Sequence, residues 1–232
     1  MKANRCLPVV LGALLVAGCA SGAHPDGGAT TTERSTAMQD QIRDLARKLT
    51  TRAYGEFFVL PDHAQTIDRI WADAANRPVL EALVADATQP LAARFLAAEV
   101  LFARDFAFTS RVPASLVADI YAGALEHNLT GMANSWGLLY EHDDAGPVGI
   151  RFVMLGEAAV PALSRLLDNT SAALMYDGSK ESTVGNAYQY RVNDFAAYYL
   201  GSIRRIPMAF HRDLAERDQE IARLKQQLAT QR

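Results

Sequence analysis

The chain has no cysteine after residue 19, no apolar run long enough to cross a bilayer and no excess of positive charge. Each absence excludes something. Cys6 and Cys19 are the two cysteines. The rest of the chain therefore holds no disulfide, no thiolate metal site and no cysteine nucleophile. Its body must be stable by packing alone. A membrane-spanning helix needs about 20 consecutive apolar residues, whereas the N-terminal stretch runs only from Leu7 to Ala17 and is broken by Pro8 and Gly12. Lys and Arg number 23 against 26 Asp and Glu, a formal charge of -3. That balance argues against nucleic acid, which is bound by a basic face. Catalytic motifs are also missing: there is no Gly-x-Ser-x-Gly elbow, no His-Glu-x-x-His helix and no Walker loop. Ser164 has neither a glycine elbow nor a nearby His and reads as an ordinary helix residue. No motif implies a cofactor.

What is present is the composition of a globular protein, 50% hydrophobic and 21% charged. Its start is distinctive. Lys2 and Arg5 precede the apolar stretch, and Gly18 and Cys19 end it. A positive start, a short apolar run and small residues at the cut are the pattern of a secretory signal over residues 1–18. Leu15-Val16-Ala17-Gly18-Cys19 resembles the lipobox of bacterial lipoproteins. The resemblance implies that Cys19 carries lipid and becomes the first mature residue. Two or more acyl chains anchor a protein stably where one does so only marginally. Ala20 follows, where inner-membrane lipoproteins typically carry Asp. The resemblance therefore implies a bacterial cell envelope location, at the outer membrane facing the periplasm. Loss of Lys2 and Arg5 with the signal takes the formal charge from -3 to -5.

Residues 19–35 are rich in Ala, Ser, Gly and Thr, with no large apolar side chain. They read as a flexible tether, with a reach on the order of 20–25 Å. From there the pattern turns helical. Met38, Ile42, Leu45 and Leu49 share one face. Asp62, with Gln65 three residues on, reads as a helix cap. Pro78, Pro90 and Pro113 each stand at a helix start, where the missing N–H costs nothing. A one- or two-turn helix is expected from Val148 to Leu155.

Gly156 to Asp168 and Arg191 to Ile203 resemble the two helices of a HEAT or armadillo-type repeat, through Ala159-Val160-Pro161-x-Leu163-x-x-Leu166-Leu167 and the Ala196-Ala197 pair. Pro78 to Asp86 with Pro90 to Leu101 is a fainter copy. The fold implied is all-α: a degenerate HEAT-like α-α superhelix over residues 36–210. A generic Ala-rich bundle is the alternative. Residues 172–190 interrupt the last pair. Their Tyr, Val, Thr and Met on either side of Asp177-Gly178-Ser179 predict a β-hairpin. Tyr176, Tyr188 and Tyr190 are the expected anchors for a partner, because aromatics dominate interface energetics.

Other constellations invite a chemical reading. His142-Asp143-Asp144, with Glu141 beside them, could hold a metal or shuttle protons. The same residues are also an ordinary turn and helix-start sequence. His63 beside Asp62 repeats the idea more weakly. Trp136, among Gly131, Asn134 and Gly137, reads as core, with a pocket lid as the alternative. Residues 211–232 form a polar amphipathic helix with Leu214, Ile221 and Leu228 seven apart and Arg217 at the intervening position. It either docks on its own domain or forms a homo-oligomer through Leu214 to Leu228. The leading expectation is a lipid-anchored, non-catalytic scaffold for another envelope protein. The rivals are a metal-dependent enzyme or ligand binder using Glu141 to Asp144, and a self-associating structural lipoprotein.

Overall fold

The helical periodicities organise the whole chain. The computed structural model describes residues 31–59, 63–139, 145–172, 174–178 and 180–230, and every regular element among them is helical. The long elements are α1 (Thr31–Leu49), α2 (Tyr54–Phe58), α3 (His63–Ala72), α4 (Asn76–Ala85), α5 (Leu91–Arg104) and α6 (Ala114–Glu126). They continue with α7 (Ile150–Leu155), α8 (Val160–Leu166), α9 (Lys180–Tyr188), α10 (Val192–Arg204) and α11 (Leu214–Thr230). Single 3-10 turns at Phe106–Ser110, Ala133–Ser135 and Gly156–Ala159 punctuate the connections.

The prolines act as starts. Pro90 and Pro113 are the N-caps of α5 and α6, Pro78 is the third residue of α4, and Pro161 is the second of α8. The first turn of a helix has no acceptor for those N–H groups, so proline there loses no bond. α4 packs on α5, and α8 on α10. Between them α5 packs on α6 and α6 on α8, so the pairs are joined through one continuous core. Ala97, Ala98, Ala196 and Ala197 are all fully buried. Side chains that small let neighbouring helices approach closely.

The core is crossed by a chain of aromatic rings. Tyr54 meets Phe95 at 5.7 Å, Phe95 meets Trp136 at 6.4 Å, and Trp136 meets Phe152 at 6.3 Å. Phe152 then meets Tyr199 at 5.3 Å, and Tyr199 meets Tyr198 at 5.0 Å. Tyr198 meets Phe210, and Phe210 meets Tyr190. The separations lie in the range where aromatic pairs attract.

Two expectations are corrected. The hairpin at 172–190 is absent: residues 180–188 form α9, and no strand occurs among the described residues. The reason is local. Asn186 on α9 accepts from the backbone N–H of Tyr176 at 2.7 Å and donates to its carbonyl at 2.9 Å. A side-chain amide thus stands where a strand partner would. The tether also ends earlier than composition indicates, because α1 begins at Thr31. Residues 32–37 are exposed, and an exposed helical turn needs no apolar burial, only backbone bonds added one residue at a time.

α11 docks on its own chain. Ile221 and Leu224 are buried, Leu228 is partly buried against the core, and Leu214 remains 43% exposed. Most of the seam expected for self-association is therefore occupied within the chain.

Candidate functional site

Two clusters of buried charge stand out in the interior, each centred on an acid. The first is Glu99, on α5 between Phe95 and Phe102, with only 3% of its surface exposed. α5 offers it no acceptable neighbour, so its partners come from other helices. The Tyr121 hydroxyl, from α6, donates to Oε1. Arg151 Nε, from α7, donates to the same oxygen at 3.3 Å. The Arg151 guanidinium also lies over the Phe102 ring, 4.8 Å from its centre. Tyr54, from α2, lies close enough for its ionisation to be influenced by Glu99.

Burial pushes the Glu99 carboxyl above its ordinary range, while Arg151 and the Tyr121 hydrogen bond pull it back down. Burial, and then the negative charge of Glu99, push both Tyr54 and Tyr121 above the ordinary phenol range. The phenols are donors here and not bases. The cluster can therefore hold or give up one proton at Glu99. Its contact with solvent runs through Arg151, whose side chain is 19% exposed. Arg151 Nη1 touches Met154 Sδ at 3.5 Å, and Phe102 touches the half-exposed Phe106. Phe106 and Arg151 each contact Phe102, and Met154 touches Arg151.

The second charge is Asp194 at the start of α10, fully buried. Its Oδ2 accepts from the Arg191 backbone N–H at 2.8 Å and from Arg217 Nη1 at 2.8 Å. Its Oδ1 accepts from Arg191 Nη2 at 3.2 Å. Arg217, on α11, is itself 1% exposed, donates to the Tyr188 carbonyl at 2.6 Å and lies over the Tyr190 ring. Arg191 reaches on to Asp218 at 2.7 Å. This cluster caps α10 and holds α11 in place.

Between the two clusters lies a pinched turn. Gly137 and Gly146 have positive φ, and their backbones approach so closely that a Cβ at Gly146 would lie 2.7 Å from the Trp136 carbonyl carbon. The Tyr199 hydroxyl rests against the carbonyls of Trp136 and Ala145. Tyr176 donates to the Gly137 carbonyl at 2.7 Å. Asn134 bridges to Asp177 through both its amide groups. Trp136 is fully buried, in keeping with its core reading, and its Nε1 has no hydrogen-bond partner among the described residues.

The residues singled out in the sequence fall variously. Cys19 lies outside the described residues, as do Asp62, Glu141, His142, Asp143 and Asp144. His63 opens α3. Among the described residues no three His, Cys, Asp or Glu side chains converge as a metal site. Tyr176 and Tyr190 are 4% and 1% exposed, and Tyr188 is partly buried and stacked on Tyr190 at 5.4 Å. Two of the three expected anchors are therefore buried in the folded chain. Ser164 is half-buried on α8 and lines a shallow groove of about 520 Å³ with Pro161, Arg165 and Arg204. Both arginines are paired there, Arg165 with Asp119 and Arg204 with Glu157.

Glu99 and Arg217 did leave a trace in the sequence. Glu99 interrupts the apolar run Phe95 to Phe102, and Arg217 occupies an apolar position of a heptad. A charge on a buried face is a request for a partner. No helix among the described residues is long and apolar enough to cross a membrane. Comparison with known proteins finds no matching family model, no matching curated protein and no matching solved structure.

Proposed function

We propose that the chain is a lipid-anchored protein of the bacterial envelope whose helical body serves as a scaffold for another envelope protein. The observation that carries this reading is the segment Leu15 to Cys19, placed directly after a short apolar signal and before a thiol-free body. A diacylated Cys19 would hold the body at a membrane, and Ala20 favours the outer one. The stacking of α4 on α5 and of α8 on α10 supports a HEAT-like arrangement, a class that presents extended surfaces to partners. Phe106 and Met154 supply exposed apolar side chains, the latter beside the Arg151 cation. Small apolar surfaces of this kind are where partner side chains settle.

Two measurements test the reading. Radiolabelled palmitate should enter the wild-type chain in growing bacteria and fail to enter Cys19→Ala. Equal labelling of both would overturn the anchor. Crosslinked envelopes should then yield a partner with the wild type that is lost with Phe106→Asp. An unchanged set of crosslinked proteins would remove the scaffold role of that surface.

A further inference from the structure

We propose that Glu99 and Arg151 form a proton-linked latch: a proton taken up by Glu99 frees Arg151 and loosens α7 from α5. The geometry is unusual for a merely structural ion pair. Glu99 is sealed, whereas Arg151 keeps a solvent-exposed edge. When the carboxylate takes a proton, the buried acid becomes neutral and still accepts a hydrogen bond from Tyr121. The cation loses its counter-charge and can swing into water without crossing the core. Arg151 is the one charged residue of α7. Its release removes the polar tie that fixes this short helix, leaving Phe152 and Leu155 as its buried anchors. Val153 and Met154 form the outer face of α7 and are 37% and 41% exposed. The latch therefore acts on the surface that carries Val153 and Met154.

The groups facing Glu99 are few. Tyr54 comes from α2, Tyr121 from α6 and Arg151 from α7. Other charges around α5 are engaged elsewhere. Arg94 bonds the Val84 carbonyl, Arg104 pairs with Asp68, and Glu81 and Asp105 pair with Arg111. Burial lifts the carboxyl above its ordinary range, against the pull of Arg151.

Trp136 reports on this movement because its ring stacks between Phe95 of α5 and Phe152 of α7. The chain has two tryptophans, so Trp71→Phe leaves Trp136 as the sole emitter. In that background, Trp136 emission should change reversibly between pH 8 and pH 5 while far-UV helicity stays constant. The midpoint should lie above the ordinary glutamate value of about 4.3. Glu99→Gln should abolish the transition. A flat wild-type profile, or the same midpoint in Glu99→Gln, overturns the latch. Should Glu99→Gln fail to fold, Arg151→Gln replaces it. That variant should show the acid-form emission already at pH 8, and a wild-type neutral spectrum from it overturns the proposal.

Discussion

Arg217 on α11 donates from Nη1 to Oδ2 of Asp194 on α10 at 2.8 Å, with both side chains sealed from water. The two residues lie 23 positions apart, and their contact decides how the C-terminal helix sits. The consequences of breaking it are unequal on the two sides. Asp194→Ala strands the buried Arg217 and leaves Arg191 with Asp218 alone, and removing one partner of a buried pair typically costs about 3–5 kcal/mol. Arg217→Met leaves Asp194 with Arg191 and fills the site with an apolar chain, so its cost should be far smaller, about 1 kcal/mol or less. Urea unfolding of the two variants checks the asymmetry. Equal losses would mean that Arg191 does not compensate.

Gly149 and Tyr199 make a second coupled pair. A Cβ at Gly149 would overlap the Tyr199 hydroxyl. Gly149→Ala should destabilise by about 1–3 kcal/mol, the usual range for overpacking. Gly149 has ordinary helical backbone angles, so crowding requires the glycine. The ring carbon that bears the hydroxyl and the Trp136 carbonyl would be crowded as well, so Tyr199→Phe should not rescue Gly149→Ala. A double variant more stable than the sum of the single losses would show that the hydroxyl alone is the obstruction.

Glu99 also sets a pH dependence of stability. Burial lifts its carboxyl in the folded chain above the unfolded value, so the fold holds the proton more tightly. The resulting stabilisation is fully present below the ordinary value of about 4.3 and is lost as pH rises through the lifted value. Wild type should therefore lose stability relative to Glu99→Gln between pH 5 and pH 8. Denaturant midpoints of both proteins across that range measure it, and parallel curves would contradict it.

α11 offers a contrast along one helix. Leu224→Ala should cost about 2–5 kcal/mol, as truncation of a buried leucine does. Leu214→Ala should stay within about 0.5 kcal/mol, since that side chain is 43% exposed. Thermal unfolding separates the two. Sedimentation of Leu214→Asp should give the wild-type mass, because Ile221 and Leu224 are already spent on the chain's own core.

Helix positions were readable wherever apolar spacing and proline coincided. Pro90 and Pro113 mark the starts of α5 and α6, and Pro161 lies in the first turn of α8. The region of Tyr176 was not readable in this way. Alternating aromatic and β-branched residues predict a strand, but a strand needs a backbone partner. Asn186 supplied both hydrogen bonds from a side chain instead, a choice that depends on contacts ten residues apart. The same limit hid the Glu99 cluster. The intruding charge was visible in α5, but Tyr121 and Arg151 lie 22 and 52 positions away, beyond any local periodicity. Their place in an insertion suits the tyrosines to a partner or to packing on the helices, and spacing alone does not choose between the two. The fold used them as interior rings, with the Tyr176 hydroxyl satisfied by the Gly137 carbonyl.

The aromatic chain from Tyr54 to Tyr190 has a consequence for how the molecule comes apart. Stacked repeats commonly unfold piecemeal, because each unit touches only its neighbours. Here Phe95, Trp136, Phe152, Tyr199 and Phe210 pass through both helix pairs and the turns between them. No boundary can open without separating rings on both sides of it. Cooperativity should therefore extend from α2 to the end of α10, with one melting transition and amide protons in α5 and α10 exchanging together.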